Sequence, residues 1–224
     1  MIKNISNLGD AALYCDFGDE VNKDINSQVI KYFRSLKGQN IEGIINLTPS
    51  YNKLIISFDL NKINFKGIKK LIENENMNEI DENFVKKIEI PICCEDTFAL
   101  DIKRLESKLS LKKEKIYESF FEKEYFCYMT GFIAGMPFLG DLEKNLRLNR
   151  LDTPRVKVPK GSVGLTEQFA NIYTYESPGG WNIIGNTPLK IFDSSKEKNP
   201  NLINPGDTVK FKKISLEEYG NFNE

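Results

Sequence analysis

Glycine and proline are concentrated between Gly131 and Asp193, and this limits what that part of the chain can fold into. The stretch opens with Gly131-Phe-Ile-Ala-Gly-Met-Pro-Phe-Leu-Gly140 and continues through Val158-Pro-Lys-Gly-Ser-Val-Gly164 and Ser177-Pro-Gly-Gly-Trp181. Glycine is unfavourable inside regular elements and proline lacks a backbone N–H, so clusters of both mark turns and close backbone approaches. We expect a compact β-rich lobe with a groove the size of a small molecule.

Charge and hydropathy exclude several classes of partner. The chain has 31 lysines and arginines against 32 acidic residues, for a net charge of −1. No basic stripe alternates with aromatic residues, so we expect no nucleic-acid partner. No apolar run approaches the ~20 residues that cross a bilayer, and the first residues lack the apolar core of a signal peptide. We therefore expect a cytoplasmic protein with no membrane partner.

The chain contains no histidine and four cysteines, Cys15, Cys93, Cys94 and Cys127. The absence of histidine excludes a Ser-His-Asp triad and a His-ligated zinc site. The cysteine spacing is not that of a chelating pair, and we expect reduced structural thiols and no metal site. General acid–base chemistry would then depend on carboxylates, lysine or tyrosine.

The first 90 residues alternate between strand and helix patterns. Leu13, Cys15 and Phe17 alternate with polar residues as in a half-buried strand, and helical spacing follows from Ile25 to Leu36. We expect this helix to begin at Asn22 or Asp24 and to end at Gly38. The later elements are strands at 43–47 and 54–58, a helix at 65–72 that Asn64 caps, a polar loop from Glu73 to Asn83, and a strand at 88–92. The order β-α-β-β-α-β is that of a split βαβ, or ferredoxin-like, domain.

The rest of the chain predicts two short helices followed by a strand-rich region. Leucines 100, 105 and 109 line one helix, and Ile116, Tyr117 and Phe120 line another behind a Ser110 cap. We interpret the charged residues among them, including Arg104, as a solvated face. From Tyr125 onward short strand patterns alternate with dense turns, which is typical of a β-barrel or sandwich. The predicted strands are Tyr125–Phe132, Ser162–Leu165, Asn171–Tyr175, Trp181–Gly185, Leu189–Phe192 and Thr208–Lys212, with a type II turn at Asn204-Pro-Gly-Asp207.

Two arginines stand out in the loop-rich part of the chain. Arg150 and Arg155 lie five residues apart, and two guanidinium groups beside a groove could hold a carboxylate or a phosphate. The alternative is a surface ion pair with Asp152 or Glu143. No Walker-type loop is present, because Lys160-Gly-Ser-Val-Gly164 has the wrong spacing and is better explained as a turn into a strand.

Aromatic residues flank the Ser177-Pro-Gly-Gly-Trp181 turn. Tyr173 and Tyr175 precede it, and aromatic walls with a few polar groups are typical of a ligand groove. For Trp181, a role as a core anchor beside the glycine pair is equally compatible with the sequence.

The ordered set of motifs resembles a known family. It comprises the 131–140 segment, Thr153-Pro-Arg155, the 158–164 segment, Ile172-Tyr173 and Ser177-Pro-Gly-Gly-Trp-Asn-Ile-Ile-Gly-Asn-Thr-Pro-Leu189. Gly9-Asp-Ala-Ala-Leu13, Ile90-Pro-Ile-Cys93 and Pro205-Gly-Asp-Thr-Val-Lys-Phe211 extend the likeness along the chain. This pattern is similar to that of allophanate hydrolase subunit 1, also called the 5-oxoprolinase B-type subunit (PxpB) or Kip inhibitor.

The resemblance implies an α+β protein with two lobes. These would be an N-terminal ferredoxin-like α/β domain at 1–88 and a C-terminal cyclophilin-like β-barrel domain at 89–224. It also implies a subunit of an ATP-dependent 5-oxoprolinase complex that opens 5-oxo-L-proline to L-glutamate. Such a chain would work with the C-type subunit (allophanate hydrolase subunit 2-like) and the A-type subunit, with ATP used by the complex, and would be inactive alone.

The resemblance also directs attention to particular residues. We expect Arg150 and Arg155 to be catalytic, stabilising anionic oxygens of substrate or phosphate. The expected substrate-binding residues are Phe132, Pro137, Phe138, Tyr173, Ser177, Gly179, Gly180 and Trp181.

The sequence departs from the family pattern at several positions. Family members commonly carry a histidine where this chain reads Glu118-Ser-Phe-Phe-Glu-Lys-Glu-Tyr125, and Ala134, Asn149 and the run Glu167-Gln-Phe-Ala-Asn171 replace other family residues. Two alternatives therefore stay open. One is a regulatory protein that inhibits a sensor histidine kinase, and the other is a subunit of an allophanate or urea amidolyase-type hydrolase.

Overall fold

The computed structural model describes residues 2–74 and 85–222, which form two compact units. Within these ranges, every helix is too short or too polar to cross a bilayer. Residues 75–84, which include most of the predicted polar loop at 73–83, lie outside the described residues.

The N-terminal unit is an antiparallel sheet with two helices. Its elements are β1 (Asn4–Asn7), β2 (Ala12–Asp16), α1 (Lys23–Gln39), β3 (Ile44–Pro49), β4 (Lys53–Phe58) and α2 (Phe65–Glu73). The strand order is β1-β2-β4-β3. Alternate residues of β2 and β4 pack with α1 and α2 in one core, because period-2 strands place one set of side chains on one face. That core contains Leu13, Cys15, Phe17, Val29, Leu36, Leu54, Ile56, Phe58, Ile68 and Ile72.

Polar side chains fix the helix boundaries in this unit. Asn22 accepts a hydrogen bond from the Ile25 N–H (3.0 Å) and Asn64 from the Gly67 N–H (3.0 Å), which confirms both as N-caps. The predicted end of α1 at Gly38 is wrong, since the helix continues to Gln39 and Asn40 takes the left-handed conformation with φ 47°.

The predicted ferredoxin-like arrangement required the strand at 88–92 to complete the N-terminal sheet. That strand exists as β5 (Lys87–Cys93), but it pairs with strands of the other unit. The fourth strand of the N-terminal sheet is β1, which pairs with β2. The alternating pattern predicts the position of β5 correctly, but it does not indicate which sheet the strand joins.

The C-terminal unit contains the barrel and three helices. After β5 come α3 (Ile102–Leu109), α4 (Lys113–Glu122), β6 (Glu124–Thr130), β7 (Pro137–Gly140), a 3₁₀ turn (Lys144–Leu146), β8 (Arg155–Val158), β9 (Ser162–Thr166), β10 (Phe169–Ile172), β11 (Ser177–Gly179), β12 (Asn182–Asn186), β13 (Thr208–Ile214) and α5 (Leu216–Asn221). Strands β10-β7-β6-β13-β5-β12-β9 close a barrel, and β8 pairs with β11 in a separate two-stranded sheet. The predicted β-barrel is confirmed.

The barrel encloses a large apolar core. An aromatic group of Phe120, Tyr125 and Phe211 lies within it, with ring centroids 4.9–5.5 Å apart. Strand β13 is central to closure: it pairs in parallel with β5 and antiparallel with β6. The turn before it has Gly206 at φ 93° and an Asp207 N–H to Asn204 O bond of 3.0 Å, as predicted for a type II turn.

Some local predictions for this unit are wrong. Ser110 does not cap α4; it ends α3 in a left-handed conformation with φ 54°, and Lys112 precedes α4. Residues 189–192 do not form a strand, and Phe192 makes only an isolated bridge to Asn201. The predicted strand at 171–175 corresponds to β10, which begins at Phe169 and ends at Ile172. Strands β7 and β11 are too short and too rich in proline or glycine to show an alternating pattern. Strand β8 alternates polar and apolar residues, but it is only four residues long and was not predicted.

Candidate functional site

A second, smaller apolar cluster lies beside the main core of the barrel unit. It consists of buried Met136, Val158, Tyr173 and Ile183, with Ile133, Phe138 and Trp181 packed against it, and we call it the Tyr173 cluster. Some of its members lie on the side of the chain that faces away from the main core. Ile172 belongs to the main core, whereas the next residue, Tyr173, belongs to this cluster. In β12, Ile184 belongs to the main core and the preceding Ile183 to this cluster, because neighbouring residues of a strand point to opposite faces.

Trp181 lies at the margin of this cluster. It is half-buried, and its ring meets Phe138 edge to face at 5.5 Å and 80°. This aromatic pair packs like a core anchor, but it leaves part of the indole accessible. Both interpretations of Trp181 therefore have a counterpart in the structure.

Gly179 is in close contact with Tyr173. A Cβ at position 179 would lie 2.1 Å from the Tyr173 hydroxyl oxygen and 2.7 Å from its Cζ atom. The ring is 1% exposed, so it has little room to withdraw. Glycine is thus required for steric reasons at 179. At Gly180 the nearest atom would be at 3.5 Å, an ordinary contact.

Arg155 is held by an acidic residue that the sequence analysis did not single out. Its Nη2 atom donates to Asp101 Oδ1 at 2.5 Å, and Asp101 is 5% exposed. The other carboxylate oxygen of Asp101 accepts from the Ile183 N–H (2.7 Å), and the Asp101 N–H donates to the Ile183 carbonyl (2.9 Å). These bonds fix the guanidinium of Arg155, which starts β8, against β12.

The polar groups around the Tyr173 hydroxyl are mainly hydrogen-bond donors. The amide of Asn171, the backbone N–H of Trp181 and the positive charge of Arg155 all favour the phenolate, but burial outweighs them and raises the pKa of Tyr173. The hydroxyl is therefore neutral at physiological pH. In such a setting the group can donate a hydrogen bond to an anionic oxygen.

We call the region around Arg155 and the Tyr173 hydroxyl the corner. Three buried polar atoms near this corner have no partner in hydrogen-bonding geometry among the described residues. They are Nη1 of Arg155, Nδ2 of Asn171 and Oγ of Ser177. Asn171 is fully buried and uses its Oδ1 to accept from the Gly164 N–H at 3.1 Å. Leaving a buried donor unused costs about 1–3 kcal/mol, so such atoms need an explanation.

The structure brings together only part of the predicted site. Arg155, Phe138, Tyr173, Gly179 and Trp181 converge on the Tyr173 cluster. Ser177 lies in β11 opposite Val158 of the cluster, and buried Gly180 accepts from the Leu151 N–H (2.6 Å). Pro137 is buried in β7, where it pairs with Thr130.

Two predicted site residues are exposed and are not members of the Tyr173 cluster. Arg150 is exposed and makes no hydrogen bond or ion pair within residues 2–74 and 85–222. Phe132 is 70% exposed and has φ 70°. The suggested ion pair of the arginines with Asp152 or Glu143 is wrong for Arg155, whose partner is Asp101.

Arg104 is hydrogen-bonded within the fold. Its Nη1 donates to Oδ1 of Asn182 at 2.9 Å, and the amide of Asn182 donates to the carbonyls of Asn149 (3.1 Å) and Leu165 (3.0 Å). The expected solvated face is therefore wrong at this residue. No sequence signal distinguishes Arg104 from the charged residues beside it.

The structure places no phosphate-binding loop at residues 160–164. Gly161 makes a turn with φ 81°, its N–H donates to the Tyr173 carbonyl (2.7 Å), and β9 follows directly. The expected turn into a strand is confirmed. In the described parts of the chain, no three Cys, Asp or Glu side chains gather as a metal-binding group.

Comparison with known proteins identifies relatives along the whole chain. The family model described as carboxyltransferase domain, subdomain C and D, matches residues 3–203. The B-type subunit of 5-oxoprolinase from Bacillus subtilis is 32% identical over 98% of this chain and 96% of its own length. Its counterpart of the same name from Haemophilus influenzae is 31% identical over 93% and 96%.

More distant relatives are longer proteins. A urea amidolyase from Saccharomyces cerevisiae is 23% identical over 96% of this chain but only 13% of its own length. The crystal structure of TTHA0988 superimposes with a TM-score of 0.83 at 27% identity, covering 91% of this chain and 40% of that one. The match at full length to the shorter relatives, together with the closed barrel, leads to one conclusion: the chain belongs to the carboxyltransferase subdomain C and D family, alongside the B-type subunits of 5-oxoprolinase.

Proposed function

We propose that this chain is the B-type subunit of an ATP-dependent 5-oxoprolinase complex in the cytoplasm, working with the A-type and C-type subunits and inactive by itself. The observation that carries the proposal is the 32% identity to a protein of that name over 98% of this chain and 96% of the relative. A match that spans both chains supports a shared role better than one confined to a single motif.

The proposed reaction opens an unstrained lactam, which needs activation. The lactam oxygen takes the γ-phosphoryl group of ATP and ADP leaves. Water then adds to the ring carbon, the C–N bond breaks with the amine as leaving group, and a second water releases phosphate from the acyl phosphate to give L-glutamate. The residues at 160–164 do not fit a phosphate loop, so we assign ATP to the complex and to no residue of this chain.

Arg155 is the best-supported functional residue of this proposal. Its guanidinium is fixed by Asp101 on one side, while Nη1 has no partner in the described residues. A preorganised guanidinium stabilises anionic oxygens without reorganising during the reaction. We propose the same role for exposed Arg150 and substrate contacts at the eight residues predicted from the sequence, with Tyr173 and Trp181 nearest to Arg155.

Reconstitution of the complex tests this proposal. The purified chain and its A-type and C-type partners are combined with 5-oxo-L-proline and ATP, and L-glutamate release is measured. We expect release only with all three proteins and ATP, and a loss of at least about 100-fold in kcat/KM for Arg155→Ala, the range for removing one charged stabilising group. Arg34→Ala, the same change in α1 of the other unit, should leave activity unchanged.

Two outcomes would contradict the proposal. Full activity without this chain would remove its role in the complex. Unchanged activity of Arg155→Ala would remove the proposed catalytic role. If no glutamate forms but the chain inhibits autophosphorylation of a sensor histidine kinase, the regulatory alternative would be favoured instead.

A second candidate is a subunit of an allophanate or urea amidolyase-type hydrolase. The 96% coverage of this chain by the yeast urea amidolyase match favours it, although the identity is only 23%. Offering urea or allophanate in place of 5-oxo-L-proline to the same reconstituted complex distinguishes the two. Ammonia release from urea or allophanate, together with no glutamate release from 5-oxo-L-proline, would support this candidate.

A further inference from the structure

The corner around Arg155 and Tyr173 has more hydrogen-bond donors than acceptors. Arg155 Nη1, Asn171 Nδ2 and Ser177 Oγ are buried, and no described residue offers them an acceptor in hydrogen-bonding geometry. The nearby Tyr173 hydroxyl already lies against the charge of Arg155, the amide of Asn171 and the Trp181 N–H. An arrangement of donors with no matching acceptor is complementary to an anionic oxygen.

The strand register places these groups on one face. In the β8–β11 pair, Arg155 lies opposite Gly179, and Val158 lies opposite Ser177, because a bulge takes up the extra residue of β8. Directly opposite residues of an antiparallel pair share a face. Val158 packs in the Tyr173 cluster and Gly179 touches the Tyr173 hydroxyl, so Ser177 and Arg155 face the same corner.

Asp101 uses only one of the two terminal nitrogens of Arg155. Both of its carboxylate oxygens are occupied, one by Arg155 Nη2 and the other by the Ile183 N–H. The ion pair therefore fixes one edge of the guanidinium, and Nη1 has no hydrogen-bond partner among the described residues. Asn171 is similar: its Oδ1 is bound to the Gly164 N–H, and its donor end lies beside the Tyr173 hydroxyl without hydrogen-bonding geometry.

We propose that Arg155 Nη1, Asn171 Nδ2 and Ser177 Oγ form a binding site for the carboxylate of a small organic acid, with Asp101 as the positioning residue. The identity of the acid, 5-oxo-L-proline, rests on the proposed function. The three donor atoms themselves are buried, whereas the Arg155 side chain as a whole is 28% exposed and Trp181 and Ser177 are half-buried, so binding requires a local movement of these side chains. Asn171 and Ser177 bind the carboxylate, and Asp101 acts only through Arg155.

Trp181 provides a direct measurement. It is the only tryptophan of the chain and lies beside this corner, so its fluorescence reports binding without any enzymatic activity. The intact chain is titrated with 5-oxo-L-proline and, separately, with 2-pyrrolidinone, the same lactam without the carboxylate. We expect a saturable change with the acid and an affinity at least about tenfold weaker for the neutral lactam. No saturable change with the acid, or equal affinities, would overturn the proposal.

Substitutions of the three donors, with one matched control variant, test the site. Asn171→Asp keeps the acceptor for the Gly164 N–H but replaces the donor with a carboxylate oxygen, so binding of the acid should be lost. Ser177→Ala should weaken it about three- to tenfold. Asn145→Asp makes the same change of charge at an exposed position of the same unit and should bind like the unaltered chain. If Asn171→Asp does not fold, Ser177→Ala and Arg155→Lys decide, and unchanged affinity in both would refute the site.

The outcome is separable from that of the proposed function. Suppose that binding is saturable and depends on Asn171 and Ser177, but that the reconstituted complex releases no glutamate. This result would support the carboxylate site and refute the proposed reaction. Glutamate release with an unaltered KM in Ser177→Ala, together with no fluorescence change in the isolated chain, would support the proposed reaction and refute the carboxylate site.

Discussion

Replacing Gly179 with alanine should destabilise the barrel unit far more than the same change at Gly180. At 179 the new methyl group would lie 2.1 Å from the Tyr173 hydroxyl oxygen and 2.7 and 2.9 Å from two ring carbons. At 180 the nearest atom would be 3.5 Å away. Neither glycine has a backbone conformation that disfavours alanine, so the comparison isolates the steric term.

The magnitude follows from the burial of Tyr173. The ring is 1% exposed and packs with Met136, Val158 and Ile183. The clash with the new methyl group can therefore be removed only if the Tyr173 cluster or strand β11 shifts. Overpacking of this kind costs about 1–3 kcal/mol, and we take about 2 kcal/mol for Gly179→Ala. That corresponds to a fall in Tm of about 6 °C for a unit of this size. Gly180→Ala should stay within about 0.5 kcal/mol of the unaltered chain.

A double-mutant cycle identifies the clash. Tyr173→Phe removes the atom at 2.1 Å but leaves the two ring carbons, so it should relieve about half of the cost of Gly179→Ala. Stability is measured by urea unfolding, followed through Trp181 fluorescence. Equal effects of the two glycine substitutions, or strictly additive effects of Gly179→Ala and Tyr173→Phe, would refute this reasoning.

Three further predictions concern other parts of the chain. Asn182→Leu should cost about 2–4 kcal/mol in urea unfolding, because it leaves two carbonyls and Arg104 without their partner, and a cost below about 1 kcal/mol would contradict this network. Asp16 accepts a hydrogen bond from Lys53, which lowers the Asp16 pKa below its ordinary 3.8. The pair therefore stabilises the fold above that pH, and this contribution is lost as the pH falls through the lowered pKa. In acid unfolding, Asp16→Asn should lose less stability over that pH range than the unaltered chain, and an unchanged profile would contradict this. Burial raises the pKa of Cys94 to about 12, and the other three cysteines are also buried, so a thiol reagent at about pH 8 should label the chain only after unfolding, and rapid labelling of the native protein would contradict this burial.

The sequence predicted those parts of the fold whose signals are local. The caps Asn22 and Asn64 were found because a capping side chain bonds a backbone group only three residues away. The barrel was found because short alternating segments and dense turns repeat along the chain. Strand β1 was missed because Asn4–Asn7 is mostly polar and only partly buried.

The partners of the candidate site were missed because they are distant in sequence. Asp101 and Arg155 are 54 residues apart, and Arg104 and Asn182 are 78 apart. Charged residues on a short helix usually face solvent, and no pattern within the helix distinguishes the two that do not. Strand β5 was assigned to the wrong sheet for the same reason, since its partner β13 begins at Thr208.

The position of β13 between β5 and β6 has a consequence for synthesis on the ribosome. Residues 87–93 emerge early, but their parallel partner at 208–214 emerges more than a hundred residues later. Until then, β5 and β6 each present an unpaired edge, the kind of surface that promotes aggregation of nascent chains. The barrel unit is therefore completed only after residues 208–214 have been translated. A ribosome that stalls before that point would leave two strands with unpaired edges at once.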